Sequence, residues 1–260
     1  MGTSTKLPGP RGEPWALTRG QMTRWAGVVS ASRPSPEDAL PADLDSAERL
    51  AERYRRALAD TLRDDPDMSG LRPAALRVGG QLVSVLADLL DGESALFTDM
   101  AGSTAQERED EFVARFVSTV GGDGGLVGDS VARRAARRTA EKLLDDCPAA
   151  EAALRTREGT VRLDGDLFCS LYRFFFGEFV GEFISTVIVE SLPLTVPLTL
   201  PLDPTGLVAS AVTRQVVESL PDPCAEATGR DPRRGLLAET AGELVNDMVE
   251  HALGLREASP

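Results

Sequence analysis

Few side chains in this sequence are of types that do chemistry, so each can be weighed in turn. His251 is the only histidine. It follows Glu243 and Asp247 at four-residue spacing, which puts all three on one face of a helix. That face could ligate a metal, but one imidazole excludes a multi-histidine centre, and any Ser-His-Asp triad would depend on this residue alone. The simpler role is a histidine in a last helical turn, favoured there by the helix dipole and by Asp247. Glu178, Glu182 and Glu190 punctuate a very apolar segment. Inward carboxylates of that kind serve di-metal sites in helical bundles, yet no histidine accompanies them, and a narrow solvated stripe is expected instead. Arg133, Arg134, Arg137, Arg138 and Lys142 form a basic ridge. Anion or nucleic-acid contact is conceivable, but a ridge paired to the protein's own carboxylates fits its composition better. Cys147, Cys169 and Cys224 are odd in number, far apart and without a C-x-x-C pair. Neither a disulfide framework nor a structural zinc site is expected, in keeping with a reducing cytoplasm.

The 260 residues suffice for one large domain or two small ones, and the net charge is −13. Such an acidic surface repels phosphates and anionic lipid heads, so direct nucleic-acid binding and membrane association are not expected. Nine of thirteen aromatics are Phe, and aromatics make up only 5% of the chain, so Leu, Val and Ala must build most of the core. Only Lys6 and Lys142 represent lysine among 28 basic residues, a bias of GC-rich coding with no functional meaning. The first thirty residues hold no apolar run of signal-peptide type. The most apolar region, 167–202, is broken by Arg173, Glu178, Glu182 and Glu190 and does not read as a membrane span.

The elements that must position these residues are helices. Residues 1–14, with Pro8, Pro10 and Pro14, read as a flexible arm. A short helix with Trp15, Met22 and Trp25 and a Pro/Ser linker fill 15–43, and a helical domain spans 44–255, with a possible sub-boundary near 145–160. Asp45 with Glu48 suggests a capping box for a helix carrying Ala47, Leu50, Ala51, Tyr54, Leu58 and Leu62 inward. Further helices are expected over 72–91, stopped by Gly92; over 104–119, with Phe112, Val113, Phe116 and Val117 inward; and from an Asp129 cap to about 146. The 166–191 segment is apolar over more than half its circumference and should be buried on most sides. Its Gly177 and Gly181, four apart, offer a close approach to a neighbouring helix. Prolines 193, 197, 201 and 204 forbid a helix interior, leaving an extended apolar connector whose Pro193, Pro197 and Pro201 form a possible docking strip. Helices to about Leu220 and over 236–253 complete the chain. No strand alternation is convincing. The expected fold is mainly α, a multi-helix orthogonal or bundle domain with a flexible N-terminal arm.

Phe97-Thr98-Asp99-Met100-Ala101-Gly102-Ser103-Thr104 resembles the first metal-binding block of class III nucleotidyl cyclases, and Gly122-Asp123-Gly124 resembles their second. The resemblance implies Asp99 and Asp123 as a remote metal pair, two carboxylates holding Mg²⁺ against a phosphate. Set beside it, Ser103 or Thr104 reads as a helix cap with Gln106 or Glu107 completing a capping box.

Met1-Gly2-Thr3-Ser4, a Gly-Pro-x-Gly and a Pro/Trp segment ending at Trp15 resemble the start of QatB proteins of Qat anti-phage defence operons. Gly121 to Gly125, the helix from Asp129 with Ala132-Arg133, and a long aromatic-rich helix are similar to a later stretch of that family. The resemblance implies a non-catalytic defence component without cofactors, acting as partner or substrate of a QueC-like enzyme, with a P-loop ATPase and a TatD-like nuclease encoded nearby. QueC-type chemistry could join a deazaguanine carboxylate to a free amine. Loss of Met1 would expose the Gly2 α-amine, whose pKa near 8 leaves a reactive neutral fraction. Gly2, Thr3 and Ser4 are then the expected modification arm, in a cytoplasmic protein that is not an enzyme. A helical adaptor that docks a P-loop ATPase through the proline strip is the alternative.

Overall fold

The computed structural model describes residues 10, 12–32, 40–122, 124–156, 160–191, 204–228 and 234–256. The expected modification arm Gly2, Thr3 and Ser4, the second loop carboxylate Asp123 and the docking strip Pro193, Pro197 and Pro201 lie outside these residues. Helices α1 (Glu13–Ser32), α2 (Pro41–Asp64), α3 (Leu71–Asp91), α4 (Ala105–Gly121), α5 (Val127–Asp146), α6 (Pro148–Thr156), α7 (Gly165–Ser191), α8 (Pro204–Ser219), α9 (Pro223–Thr228) and α10 (Arg234–Ala252) carry the fold. Short 3-10 turns precede α3 (Met68–Gly70) and α4 (Ala95–Phe97). No strand occurs among the described residues, so the chain is mainly α as its sequence indicates.

Helix α7 is the axis of the core. Phe168, Leu171, Tyr172, Phe175, Phe176, Phe179, Val180, Phe183, Ile184, Val187 and Ile188 are all buried. They cover enough of its circumference for α3, α5, α8 and α10 to pack around it. Gly177 and Gly181 allow α8 to lie against its backbone. A Cβ on Gly177 would sit 2.6 Å from Val217 Cγ2 and 2.9 Å from the Thr213 carbonyl. One on Gly181 would sit 2.5 Å from Thr213 Oγ1. One buried apolar cluster runs from Trp15 to Leu253 and includes Cys147, Ala150 and Leu154.

Several boundaries differ from expectation for local reasons. Helix α2 begins at Pro41, not after Asp45. Proline fits the first helical position, and Asp43 Oδ2 accepts from the Leu40 N–H at 3.0 Å, closing the turn earlier. Helix α1 begins at Glu13, ahead of Pro14. Asp129 is not the residue ahead of α5; it is the third within it, and its Oδ2 accepts from the Leu126 N–H at 2.9 Å. Two short helices, α6 in the Ala-rich 145–157 stretch and α9, each open on a proline, Pro148 and Pro223. Other expectations stand. Gly92 ends α3 with φ 77°, and Thr104 and Glu107 form the capping box of α4.

The largest departure is covalent. Cys169 on α7 and Cys224 on α9 are joined by a disulfide across 55 residues, with Cα atoms 6.0 Å apart. Spacing along the chain carried no sign of it, because helix packing and not sequence proximity brings the two cysteines together. Cys147 is free and buried. One stretch among the described residues, Met68–Asp91, is long and apolar enough to cross a membrane, and half of its most apolar window is buried within this fold.

Candidate functional site

The anchor behind the N-terminal arm is well defined. Trp15 is buried, stacks at a tilt against Tyr54 with centroids 5.9 Å apart, and donates from Nε1 to Thr61 Oγ1 at 2.7 Å. Arg19 Nη1 donates to the Pro10 carbonyl at 3.2 Å, and Pro10 is itself buried. Tyr54, enclosed with Trp15, has its hydroxyl pKa pushed up by burial. Helix α1 is thereby fixed to α2 from its first turn, and the chain ahead of it is tied at Pro10.

The loop leading to α4, which carries Asp99, is held by side chains of α4 itself. Glu107 Oε2 accepts from the Ser103 and Thr104 N–H groups at 2.6 and 3.1 Å. Glu111 Oε2 accepts from Ala101 and Gly102 N–H at 2.9 and 3.1 Å. These backbone donors are the main reason both carboxyl pKa values lie below the ordinary range. Arg115 donates to the Thr98 and Asp99 carbonyls at 2.6 and 3.0 Å. Arg108, buried, donates from Nη1 to the Gly102 and Ser103 carbonyls at 3.1 and 3.0 Å, and reaches the Leu154 and Arg155 carbonyls at the end of α6. Asp99 is exposed, with φ 48°. The loop is thus a clasp whose backbone groups are taken up by α4, with Asp99 at its outer turn.

Asp129 is the most enclosed carboxylate among the described residues. It pairs with Arg77 of α3 and caps the Leu126 N–H. Those two interactions, with Arg77 first, hold its pKa below the usual carboxylate value. A depressed folded pKa stabilises the protein above the unfolded value near 4, and the gain is lost as pH falls through the folded value. Asp129→Asn is therefore expected to cost roughly 2 kcal/mol at pH 6. The gap from wild type should close as unfolding is repeated toward pH 2. A pH-independent gap would contradict this assignment.

The basic ridge is internally paired. Arg134 Nε lies 2.7 Å from Glu182 Oε2, and Arg134 Nη2 donates to Thr186 Oγ1 at 2.5 Å. Arg137 lies 2.9 Å from Glu141, Arg138 is 3.7 Å from Glu141, and Lys142 is 2.7 Å from Asp146. Arg133 Nη1 donates to the Gly124 carbonyl at 2.7 Å. Glu182 is spent on the ridge. Glu178 is partly buried, and burial first, then the neighbouring Glu182 charge, raises its pKa, while Thr213 hydrogen bonding opposes the rise. Glu190 is exposed. These three glutamates do not converge on a shared point among the described groups that could hold a metal.

His251 sits in the last turn of α10, with Nδ1 2.8 Å from the Asp247 carbonyl, while the Asp247 carboxylate pairs with Arg256. Glu243, Asp247 and His251 do not assemble into a ligand cluster. Among the described residues the one cluster of that kind is Cys169, Asp222 and Cys224, whose ligand atoms lie within 4.8 Å of one another and whose two sulfurs are bonded.

A cleft of about 1030 Å³ lies between α4 and α5. Val113, Val117 and Leu144 form its apolar floor; Arg133, Arg134 and Arg137 line one side, and Glu109, Asp110, Asp145 and Glu151 carry opposite charge. Val113 and Val117, expected inward, are half-buried at this floor, whereas Phe112 and Phe116 are fully buried. No family model, no curated protein and no solved structure matches this chain.

Proposed function

We propose that this chain is a non-catalytic helical component of a bacterial anti-phage defence system. In this reading it presents its N-terminal arm to a QueC-like enzyme, with a P-loop ATPase as a second partner. The observation that supports the reading best is the anchor. Pro10, Arg19 and Trp15 fix the chain immediately behind the arm. Nine residues ahead of that point span at most about 30 Å, enough for a terminal amine to enter an active site while the helical body stays outside. Glycine at position 2 adds no side chain to obstruct entry. In the cleft between α4 and α5, Arg137 pairs with Glu141 and Arg134 with Glu182 of α7, so much of its basic charge is met within the protein itself.

The deciding experiment is an intact mass of the protein co-expressed with its neighbouring genes, set against the protein expressed alone. An added mass on the peptide beginning at Gly2, absent from the protein expressed alone, is expected. Gly2→Trp should remove both adduct and phage protection while leaving thermal unfolding unchanged, since the substitution lies ahead of the anchor. Protection that survives Gly2→Trp would overturn the reading.

A further inference from the structure

We propose that the Cys169–Cys224 bond is a thiol-exchange site, opened by a low-molecular-weight thiol through a mixed disulfide on Cys224. The inference is independent of the defence reading. Cys169 is 5% exposed, whereas Cys224 is half-buried and lies at the start of the six-residue helix α9. Both line an open cleft of about 410 Å³, together with Lys142, Asp166, Arg173 and Asp222. A small thiol can therefore reach the bond from solvent, and the more exposed cysteine, Cys224, is the one it meets.

Two cations and one close carboxylate, Asp222 within 4.8 Å of both sulfurs, surround the leaving sulfur. Arg173 stands one turn beyond Cys169 on α7. Its Nη2 donates to the Val217 carbonyl at 2.6 Å, and its Nη1 lies 4.0 Å from Asp222. Its Nε–H is buried and has no partner. A guanidinium with a spare donor one turn away favours a thiolate at Cys169. Lys142 adds a second cation in the same cleft, shared with Asp146 and the Phe174 ring, while Asp166 and Asp222 are the facing carboxylates.

The exchange balances without any further reactant. A thiolate R–S⁻ attacks Cys224 Sγ; the R–S–S–Cys224 bond forms, the Cys169–Cys224 bond breaks, and its electron pair leaves on Cys169 Sγ. A second thiolate attacks the R sulfur of the adduct, releasing R–S–S–R and the Cys224 thiolate. Two small thiols are oxidised and one protein disulfide is reduced. The change is confined by the packing. Helix α8 remains against α7 through the glycine seam, while α9, which also packs against α10, loses its cross-link to α7.

The test uses the full chain bearing Cys147→Ser, purified without reductant, so that only the pair reports. Millimolar glutathione is added under native conditions, and samples are quenched with iodoacetamide. Peptide masses are expected to show a transient glutathione adduct on Cys224, followed by alkylation of both Cys169 and Cys224. Amide exchange across 223–228 should then quicken about tenfold, with the α7–α8 seam unchanged. Arg173→Gln should slow the first step and leave the final products the same. A bond that yields only after denaturation, an adduct on Cys169, or unchanged exchange in α9 would each overturn the proposal. So would two free thiols in the starting protein that oxidised glutathione fails to join.

Discussion

Arg108→Met should lower the unfolding free energy by about 3 kcal/mol, the largest loss expected from any single polar substitution in this fold. The reason is the number of groups that lose a partner at once. The guanidinium serves the Gly102 and Ser103 carbonyls ahead of α4 and the Leu154 and Arg155 carbonyls at the end of α6. The latter pair belongs to a helix C-terminus, where carbonyls lack intrahelical donors and carry the negative end of the dipole. Methionine fills much of the volume but donates nothing. Arg108→Lys should recover only a small part of the loss, because a single ammonium cannot span carbonyls on two sides as the planar five-donor fork does. Urea titrations of the three proteins decide it: near-equal midpoints for wild type and Arg108→Lys would mean that charge, and not the fork, holds the clasp.

Gly177→Ala should also destabilise, by about 2 kcal/mol, through overpacking against Val217 and the Thr213 carbonyl. The sign matters more than the size. Glycine in a helix interior ordinarily costs about 1 kcal/mol against alanine, so the same substitution at an open position should stabilise. Gly80 in α3 is such a position: a methyl group there would have nothing within 4 Å, whereas one on its neighbour Gly79 would meet Phe176 at 2.9 Å. Gly80→Ala should therefore raise the thermal midpoint while Gly177→Ala lowers it. If both changes moved stability the same way, the backbone contact between α7 and α8 would not be as close as described.

How much of this was legible in the sequence depended on the range of the interaction. The Gly92 stop, the Thr104–Glu107 capping box and the burial of the Phe168 to Ile188 face involve residues a few positions apart, and each stands as expected. Gly177 and Gly181 announced a close approach but not the identity of its partner, since α8 is reached only after the 192–203 connector. Asp129 marks the start of α5 in the sequence but sits inside the helix, and its second partner, Arg77, lies on another helix. The arginines of the ridge were legible as self-paired, the acidic excess being the cue. Cys169 and Cys224 were not legible as a pair: an odd cysteine count and a wide spacing say nothing about which side chains a helical core will juxtapose. Helices α6 and α9 are too short for periodicity to register, although Pro148 and Pro223, each a suitable first helical residue, were available as signals.

The glycine seam also bears on the order in which the molecule assembles. Gly177 and Thr213, which meet there, are 36 residues apart, while Arg72 of α3 and Glu250 of α10, paired at 2.6 Å, are separated by 178. Closing the longer loop first would cost about 1.4 kcal/mol more chain entropy than closing the shorter one. The α7–α8 contact is accordingly cheaper to form than the α3–α10 contact and is expected to precede it. Docking of α10 onto α3 comes late, so alanine changes at the seam should slow refolding, while changes at the Arg72–Glu250 pair should mainly speed unfolding.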